Sequence, residues 1–203
     1  MLTIYHAPLT RSCRVLWLAE ELGLDYRVEP LELFSAAMTS PEFLAMSPMG
    51  KVPVLMDDGF VLWETLAIME YLVAKYSDGA LLPPRDTAQG ATTVQWMEFG
   101  ENQLTVLASE IVVHDGILPP ERTVPALIER GRAELPRVLG IVEQALEGRD
   151  YIASNRFTAA DIVLGFALPI AQHAGFLGPD TPRTLAYHER LAARPAYQKA
   201  MAL

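Results

Sequence analysis

At 203 residues the chain has length for one large domain or two small ones, and enough of it to bury a sizeable core. Hydrophobic residues make up 51% and charged residues 20%, the balance of a soluble globular protein rather than a disordered or fibrous one. A formal net charge of -9 speaks against nucleic acid and anionic membrane as partners, because both are held by clustered Lys and Arg.

The first residues, "MLTIYHAPLT", lack the basic region, long apolar run and small-residue cleavage site of a signal peptide. The most apolar later stretch, "DIVLGFALPIAQHAGFLG", is interrupted by Pro169, Gln172 and His173 and reads as a buried helix rather than a membrane span. Cys13, the single cysteine, has no partner for an intrachain disulfide, which fits a reducing compartment, and a cytoplasmic location is expected.

Taken in order, "LTIY" is a short strand, followed by Pro8 and a turn. Val15, Leu18, Ala19 and Leu22 then fall on one face of a helix that Gly23 stops. "DYRVEPLEL" is a second strand, and a short helix follows. "VPVLMDDGFVLW" reads as a hairpin about Asp57-Asp58-Gly59. "ETLAIMEYLVAKY" is helical, with Ile68, Tyr71 and Leu72 on one face. "SDGALLPPRD" is a Gly- and Pro-rich break, after which strand signals end and four long helical patterns follow, the last being "RTLAYHERLAARPAYQKAMA". The expected organisation is an α/β domain over residues 1–77 in the order βαβαββα, a linker over 78–86 and an all-helical domain over 87–203.

Three loop positions recur as a ligand cradle. Thr10 to Cys13 stands at the start of the first helix, where free N–H groups and the dipole favour an anion and where a hydroxyl can lower the pKa of a thiol. Arg11 and Arg14 add positive charge. In "MGKVPVL", a cis Val52-Pro53 bond would turn the Val52 main chain outward to pair with an extended ligand, and Lys51 would meet a carboxylate. In "WETLAIMEYL", Glu64 and Thr65 open a helix and suit a ligand end with an ammonium and a carboxylate. Each has an ordinary structural alternative: a helix cap, an edge-strand proline with a solvated lysine, and an acidic first turn. Together they suit a ligand with an α-amino acid end, a central thiol and a second carboxylate.

With these residues in place the chain resembles a glutathione S-transferase over essentially its whole length. "RSCRVLWLAEELGLDY", "SPMGKVPVL", "LWETLAIMEYLVAKY", the "ALLPP" linker and "YIASNRFTAADIVLG" carry the likeness. The resemblance implies a thioredoxin-like first domain, an all-α second domain and a homodimer. It implies glutathione as co-substrate, with Val52 binding the cysteinyl backbone beside a cis Pro53, Glu64 and Thr65 holding the γ-glutamyl end, and Lys51 near the glycyl carboxylate. "FTAADI" matches the family's capping box, Thr158 with Asp161, a structural element.

Thioredoxin-like proteins place a C-x-x-C pair at the start of the first helix. Here that spacing reads Thr10-Arg11-Ser12-Cys13, which puts Thr10 at the outer, sulfur-facing position and Cys13 at the inner one. Theta-like transferases carry serine where Thr10 stands; beta-like ones carry cysteine followed by serine. Thr10 ranks first as the catalytic hydroxyl and Ser12 second, in a bacterial-type theta/beta-like active site. Cys13 reads as a buried, inert thiol. Of Trp96, Phe99, Gln103, Leu107 and Glu110, some could line a pocket for a small hydrophobic electrophile, although packed core is the preferred reading. His114 and His173 lack metal-ligand spacing, so no metal is expected.

The expected reaction is glutathione conjugation to an electrophile, a detoxification chemistry. The alternatives are glutathione-dependent reduction of disulfides or peroxides at the same site and, in another class, a non-catalytic interaction module on the same fold. Retention of Lys51, Val52, Pro53, Glu64 and Thr65 speaks for the enzyme.

Overall fold

The computed structural model describes residues 1–203, which fold into two compact units. The first comprises residues 1–82 and 194–203, the second residues 83–193. The division lies inside the expected linker, but the last ten residues return to the first unit instead of ending the helical one.

The first unit holds a four-stranded sheet in the order β2-β1-β3-β4, formed by β1 (Leu2–His6), β2 (Tyr26–Pro30), β3 (Val54–Asp57) and β4 (Phe60–Trp63). β1 pairs parallel with β2 and antiparallel with β3, and β3 pairs antiparallel with β4. Asp58 and Gly59 make the β3–β4 turn with φ of 48° and 89°, the positive pair that a two-residue hairpin turn of matching twist requires.

Helix α1 (Ser12–Glu21) is buried continuously from Ser12 to Ala19. α2 (Pro41–Met46) begins at Ser40, whose hydroxyl accepts from the Phe43 N–H at 3.2 Å. α3 (Thr65–Tyr76) presents Ile68 and Leu72 to the core.

Asp57, at the end of β3, is buried and accepts from the Tyr71 hydroxyl at 2.7 Å, the Tyr76 hydroxyl at 2.8 Å and the Lys75 ammonium. This ties α3 to the hairpin. Burial alone would raise the Asp57 carboxyl, but the Lys75 ammonium and the two phenols bring it down from 3.8 to about 2.

The second unit is helical: α4 (Ala88–Phe99), α5 (Val106–Val112), α6 (Pro125–Ala145), α7 (Ala159–His173) and α8 (Pro182–Ala192). Between α4 and α5, Gly100–Thr105 widens into a π-helix without breaking the run. A side chain at Gly100 would meet Leu164 Cδ1 at 2.7 Å, so glycine there lets this wide turn pack against α7. The last helical pattern of the sequence is two helices: α8 ends before Arg194, and α9 (Pro195–Met201) starts afresh with proline in its first turn. α9 belongs to the first unit and packs on α1. There Trp17 and Tyr197 meet edge to face at 4.8 Å, and Arg194 grips Glu21 with two contacts of 2.6 and 2.7 Å.

Thr158 and Asp161 form the expected capping box of α7. Asp161 Oδ2 accepts from the Thr158 N–H at 2.7 Å and its hydroxyl at 2.9 Å, and Oδ1 accepts from the Ile152 N–H at 2.9 Å and the Tyr187 hydroxyl at 2.7 Å. Burial pushes this carboxyl above the ordinary carboxylate range, and the four donors pull part of that back. Replacing it strands four buried donors at once. Asp161→Ala should therefore cost about 3 kcal/mol or more and lower Tm by about 10 °C in a calorimetric scan.

Asp57 has a pH signature of opposite kind. Its folded pKa lies below the ordinary value of 3.8, so its stabilising contribution is complete above pH 4 and is lost as pH falls from 4 towards 2. Asp57→Asn should be roughly 2 kcal/mol less stable at pH 7 and should narrow its gap to the wild type as the buffer is taken to pH 2.

Candidate functional site

The register of the sheet sets the location. Tyr5 faces Val54 across β1 and β3, and Val54 faces Trp63 across β3 and β4. The C-terminal end of β1, the N-terminal end of β3 and the C-terminal end of β4 therefore lie together. The three positions singled out from sequence, the turn at 10–13, Lys51 to Pro53, and Glu64 with Thr65, all join the sheet at this one end.

The first segment contains a compact polar cluster. His6 Nδ1 and Ser12 Oγ are 2.8 Å apart, Ser12 Oγ and Thr10 Oγ1 are 2.6 Å apart, and the Thr10 hydroxyl donates to the Ala7 carbonyl at 2.7 Å. Ser12 Oγ also accepts from the Ala7 N–H at 3.3 Å and lies 3.3 Å from the Ala7 carbonyl. Ser12 is fully buried; Thr10 is half-buried and sits beside Leu9, which is exposed with φ of 60°. The N-cap of α1 is Arg11, which makes no side-chain capping bond, and Thr10 Oγ1 accepts from the Ser12 N–H at 3.4 Å. Sequence reading did not single out His6. It is 1% exposed; burial holds its pKa below 6.5, with the Leu203 main chain opposing, so the ring is neutral at pH 7.

Cys13 is buried and its thiol pKa is pushed up by burial, against the pull of neighbouring main-chain groups. This fits the inert role expected of it. Arg14 is fully buried and Arg11 half-buried, so Arg14 does not offer its charge to solvent.

In the second segment the Val52-Pro53 peptide is cis. The β3 ladder begins at Val54, which leaves Val52 outside it. The Val52 side chain is anchored in an apolar cluster with Ala7, Met38, Phe43 and Val54, and Pro53 is buried beside it. Lys51 is exposed. Its main chain is held by buried Ser47, whose hydroxyl donates to the Lys51 carbonyl at 2.7 Å and accepts from the Lys51 N–H at 3.1 Å. Gly50 completes this turn with φ of 61°, and a side chain there would strike the Met38 carbonyl at 2.7 Å. Ser47 was not singled out from sequence; it entered only within "SPMGKVPVL", one of the stretches that carry the family likeness.

In the third segment Glu64 is the N-cap of α3, its carbonyl accepting from the Ile68 N–H at 3.0 Å. Its backbone takes φ of 77° and ψ of 120°, a conformation that side-chain-bearing residues rarely hold. The Glu64 side chain is exposed and makes no capping bond, while Thr65 is buried. The first N–H groups of a twelve-residue helix thus open next to a solvent-facing carboxylate.

Of the side chains weighed for an electrophile pocket, Trp96 and Leu107 are buried core, Phe99 packs edge to face on Trp96 at 5.2 Å, and Glu110 pairs with Arg130. Gln103 is exposed. No group of three or more His, Cys, Asp or Glu side chains is placed to hold a metal ion, and no helix is long and apolar enough to cross a membrane.

This architecture has known relatives. Residues 1–74 match the family described as Glutathione S-transferase, N-terminal domain, and residues 108–195 match Glutathione S-transferase, C-terminal domain. Glutathione S-transferase 3 of Zea mays is 34% identical, the alignment covering 99% of this chain and 93% of that protein. The crystal structure of glutathione transferase F7 from Populus trichocarpa superposes with a TM-score of 0.88 at 27% identity, covering 100% of this chain and 98% of that one. The theta class glutathione S-transferase of Xanthomonas axonopodis pv. citri, solved with glutathione bound, superposes with a TM-score of 0.85 at 28% identity, covering 100% and 97%. On two family domains and a relative matched along nearly its full length, the chain belongs to the glutathione S-transferase family.

Proposed function

We propose that in this glutathione transferase the Thr10 hydroxyl is the group that touches the glutathione sulfur, in a hydroxyl-type, theta-like active site. The likeness to the theta-class structure with glutathione bound supports that class. The observation that carries the residue assignment is the difference in burial within one hydrogen-bonded cluster: Ser12 is enclosed among His6, Ala7 and Thr10, whereas Thr10 is the member at the surface. Ser12 then serves as support.

The rest of the cradle follows the three converging segments. Val52 offers its main chain to the cysteinyl backbone. The Glu64 carboxylate takes the γ-glutamyl ammonium, and Thr65 with the open helix N–H groups takes the adjoining carboxylate. Lys51 faces the glycyl carboxylate. The glutathione thiol gives its proton to solvent, and the thiolate accepts the Thr10 hydrogen bond near the positive end of α1. The sulfur lone pair then attacks a small hydrophobic electrophile: the S–C bond forms as the leaving group departs with its electron pair. The working unit is a cytoplasmic homodimer, as the family resemblance implies, in a detoxification role.

A hydrogen bond to a charged group is worth about 1.5–3 kcal/mol. Thr10→Ala should accordingly raise the pKa of bound glutathione's thiol by about 1 to 2, read as thiolate absorbance in an ultraviolet difference titration, with little change in glutathione affinity. Unchanged thiolate absorbance would remove Thr10 from the role. Glu64→Gly should separate stability from binding. Relief of the positive φ should raise stability by about 1 kcal/mol after the entropy cost of glycine. Loss of the carboxylate should weaken glutathione binding about tenfold, measured by calorimetry.

A further inference from the structure

The hydrogen atoms of the polar cluster can be assigned by counting. Three short contacts link four groups: His6 Nδ1 to Ser12 Oγ at 2.8 Å, Ser12 Oγ to Thr10 Oγ1 at 2.6 Å, and Thr10 Oγ1 to the Ala7 carbonyl at 2.7 Å. Oxygens this close need a hydrogen between them, and a carbonyl can only accept. Thr10 must therefore spend its own hydrogen on Ala7. The Thr10–Ser12 contact is then left to the hydrogen of Ser12, and the Ser12–His6 contact to a hydrogen on His6 Nδ1. Ser12 becomes fully used: it donates to Thr10 and accepts from His6 Nδ1–H and from the Ala7 N–H. His6 Nε2 is buried and makes no hydrogen bond, while the Leu203 main chain favours the protonated ring.

We propose that His6 and Ser12 are positioning residues for catalysis, forming a one-way hydrogen-bond relay, His6 Nδ1–H to Ser12 to Thr10, that leaves the Thr10 hydrogen on the Ala7 carbonyl and free to turn to the sulfur. This inference rests on Thr10 being the sulfur-facing residue. In the relay only one hydrogen moves when the thiolate arrives: that of Thr10 turns from the Ala7 carbonyl to the sulfur. Ser12 continues to fill a Thr10 lone pair and His6 continues to fill one of Ser12. Each donation polarises the next hydroxyl, so the last one is a better donor than an isolated threonine. The opposite tautomer works against this. With its hydrogen on Nε2, His6 would draw the Ser12 hydrogen to itself, Thr10 would have to supply the 2.6 Å contact, and its hydrogen would point inward.

The primary test reads the tautomer directly in the wild-type protein. The full chain, labelled with ¹⁵N-histidine, is examined by two-bond ¹H–¹⁵N correlation with and without saturating glutathione, and His6 is assigned by the signal lost in His6→Gln. A neutral ring with its hydrogen on Nδ1 in both states is expected; a hydrogen on Nε2 in the complex overturns the relay. The second measurement is the ultraviolet titration of bound glutathione across variants. Ser12→Ala and His6→Gln should each lower the thiolate fraction at neutral pH about tenfold, close to the effect of Thr10→Ala. His6→Asn, whose amide N–H can stand near the Nδ1 position, should recover most of it. If Thr10→Ala depletes the thiolate while Ser12→Ala and His6→Gln do not, the relay fails and the Thr10 assignment survives. If Thr10→Ala has no effect, both fall.

Discussion

Helix α1 is enclosed along its first eight residues, and the rest of the first unit is arranged around that fact. An exposed helix start can leave its polar side chains to water; an enclosed one must pair them internally or bear the desolvation penalty. Ser12 answers this with hydrogen bonds to His6, Ala7 and Thr10. The enclosure itself depends on a long-range return of the chain. α9 covers the Trp17 side of α1, and the Arg194–Glu21 pair locks it there with two charge-assisted contacts, from Nε and Nη2 to the two carboxylate oxygens. Trp17 Nε1 donates to the same Glu21 carboxylate at 2.8 Å, so one acidic side chain serves both the indole and the clamp. The enclosure of the helix that follows the 7–11 loop is therefore drawn in part from the last ten residues of the chain.

The second constraint is the end of the sheet. Because β1 and β3 run antiparallel and β3 and β4 form a tight hairpin, the end of β1, the start of β3 and the end of β4 must coincide. Two helices begin at that end, α1 after a five-residue loop (residues 7–11) and α3 immediately after Glu64. Two helix N-termini at one sheet edge concentrate unpaired N–H groups and positive potential where an anionic ligand can use both. The connection from β4 into α3 is so short that Glu64 alone must absorb the change of direction, which accounts for its φ of 77°. Glycine would relieve that backbone, yet the position carries an exposed carboxylate.

Much of this could be read from sequence because it is encoded locally. Asp58-Gly59 marks a hairpin turn through the φ values it permits, and Thr158 with Asp161 marks a helix start through three-residue spacing. The strands and helices of the first 76 residues came out in the order βαβαββα for the same reason. The parts that were not legible are those fixed by distant contacts. Nothing in "RPAYQKAMA" announces that it packs on residues 17 to 21, and its helical period continues that of α8 across Pro195. The period of α1 suggested one apolar face, whereas tertiary packing buries Ser12, Cys13 and Arg14 with the rest. At the site, residue types and spacing singled out Thr10, Ser12, Lys51, Val52, Pro53, Glu64 and Thr65, but the groups that hold them came into view only in three dimensions. His6 belongs to a strand and Ser47 to a turn, and each acts through a partner four or six residues away whose direction spacing does not specify.

Cys13 provides an internal control for how a thiolate is stabilised in this fold. It occupies the first turn of α1, so the helix dipole that favours an anion acts on it too, yet its thiol pKa is raised because burial outweighs the main-chain groups that favour the anion. The dipole at a helix end contributes about 0.3–1 kcal/mol in ordinary settings, less than the several kcal/mol that burying an uncompensated charge costs. A helix start alone is therefore insufficient to ionise a sulfur here. A thiolate at this site needs solvent on one side, to avoid the desolvation that Cys13 suffers, and a directed donor on the other. Thr10 at the rim of the buried cluster meets both requirements. Ser12, two residues on and fully enclosed, meets neither, so two similar hydroxyls in one turn stand in different environments.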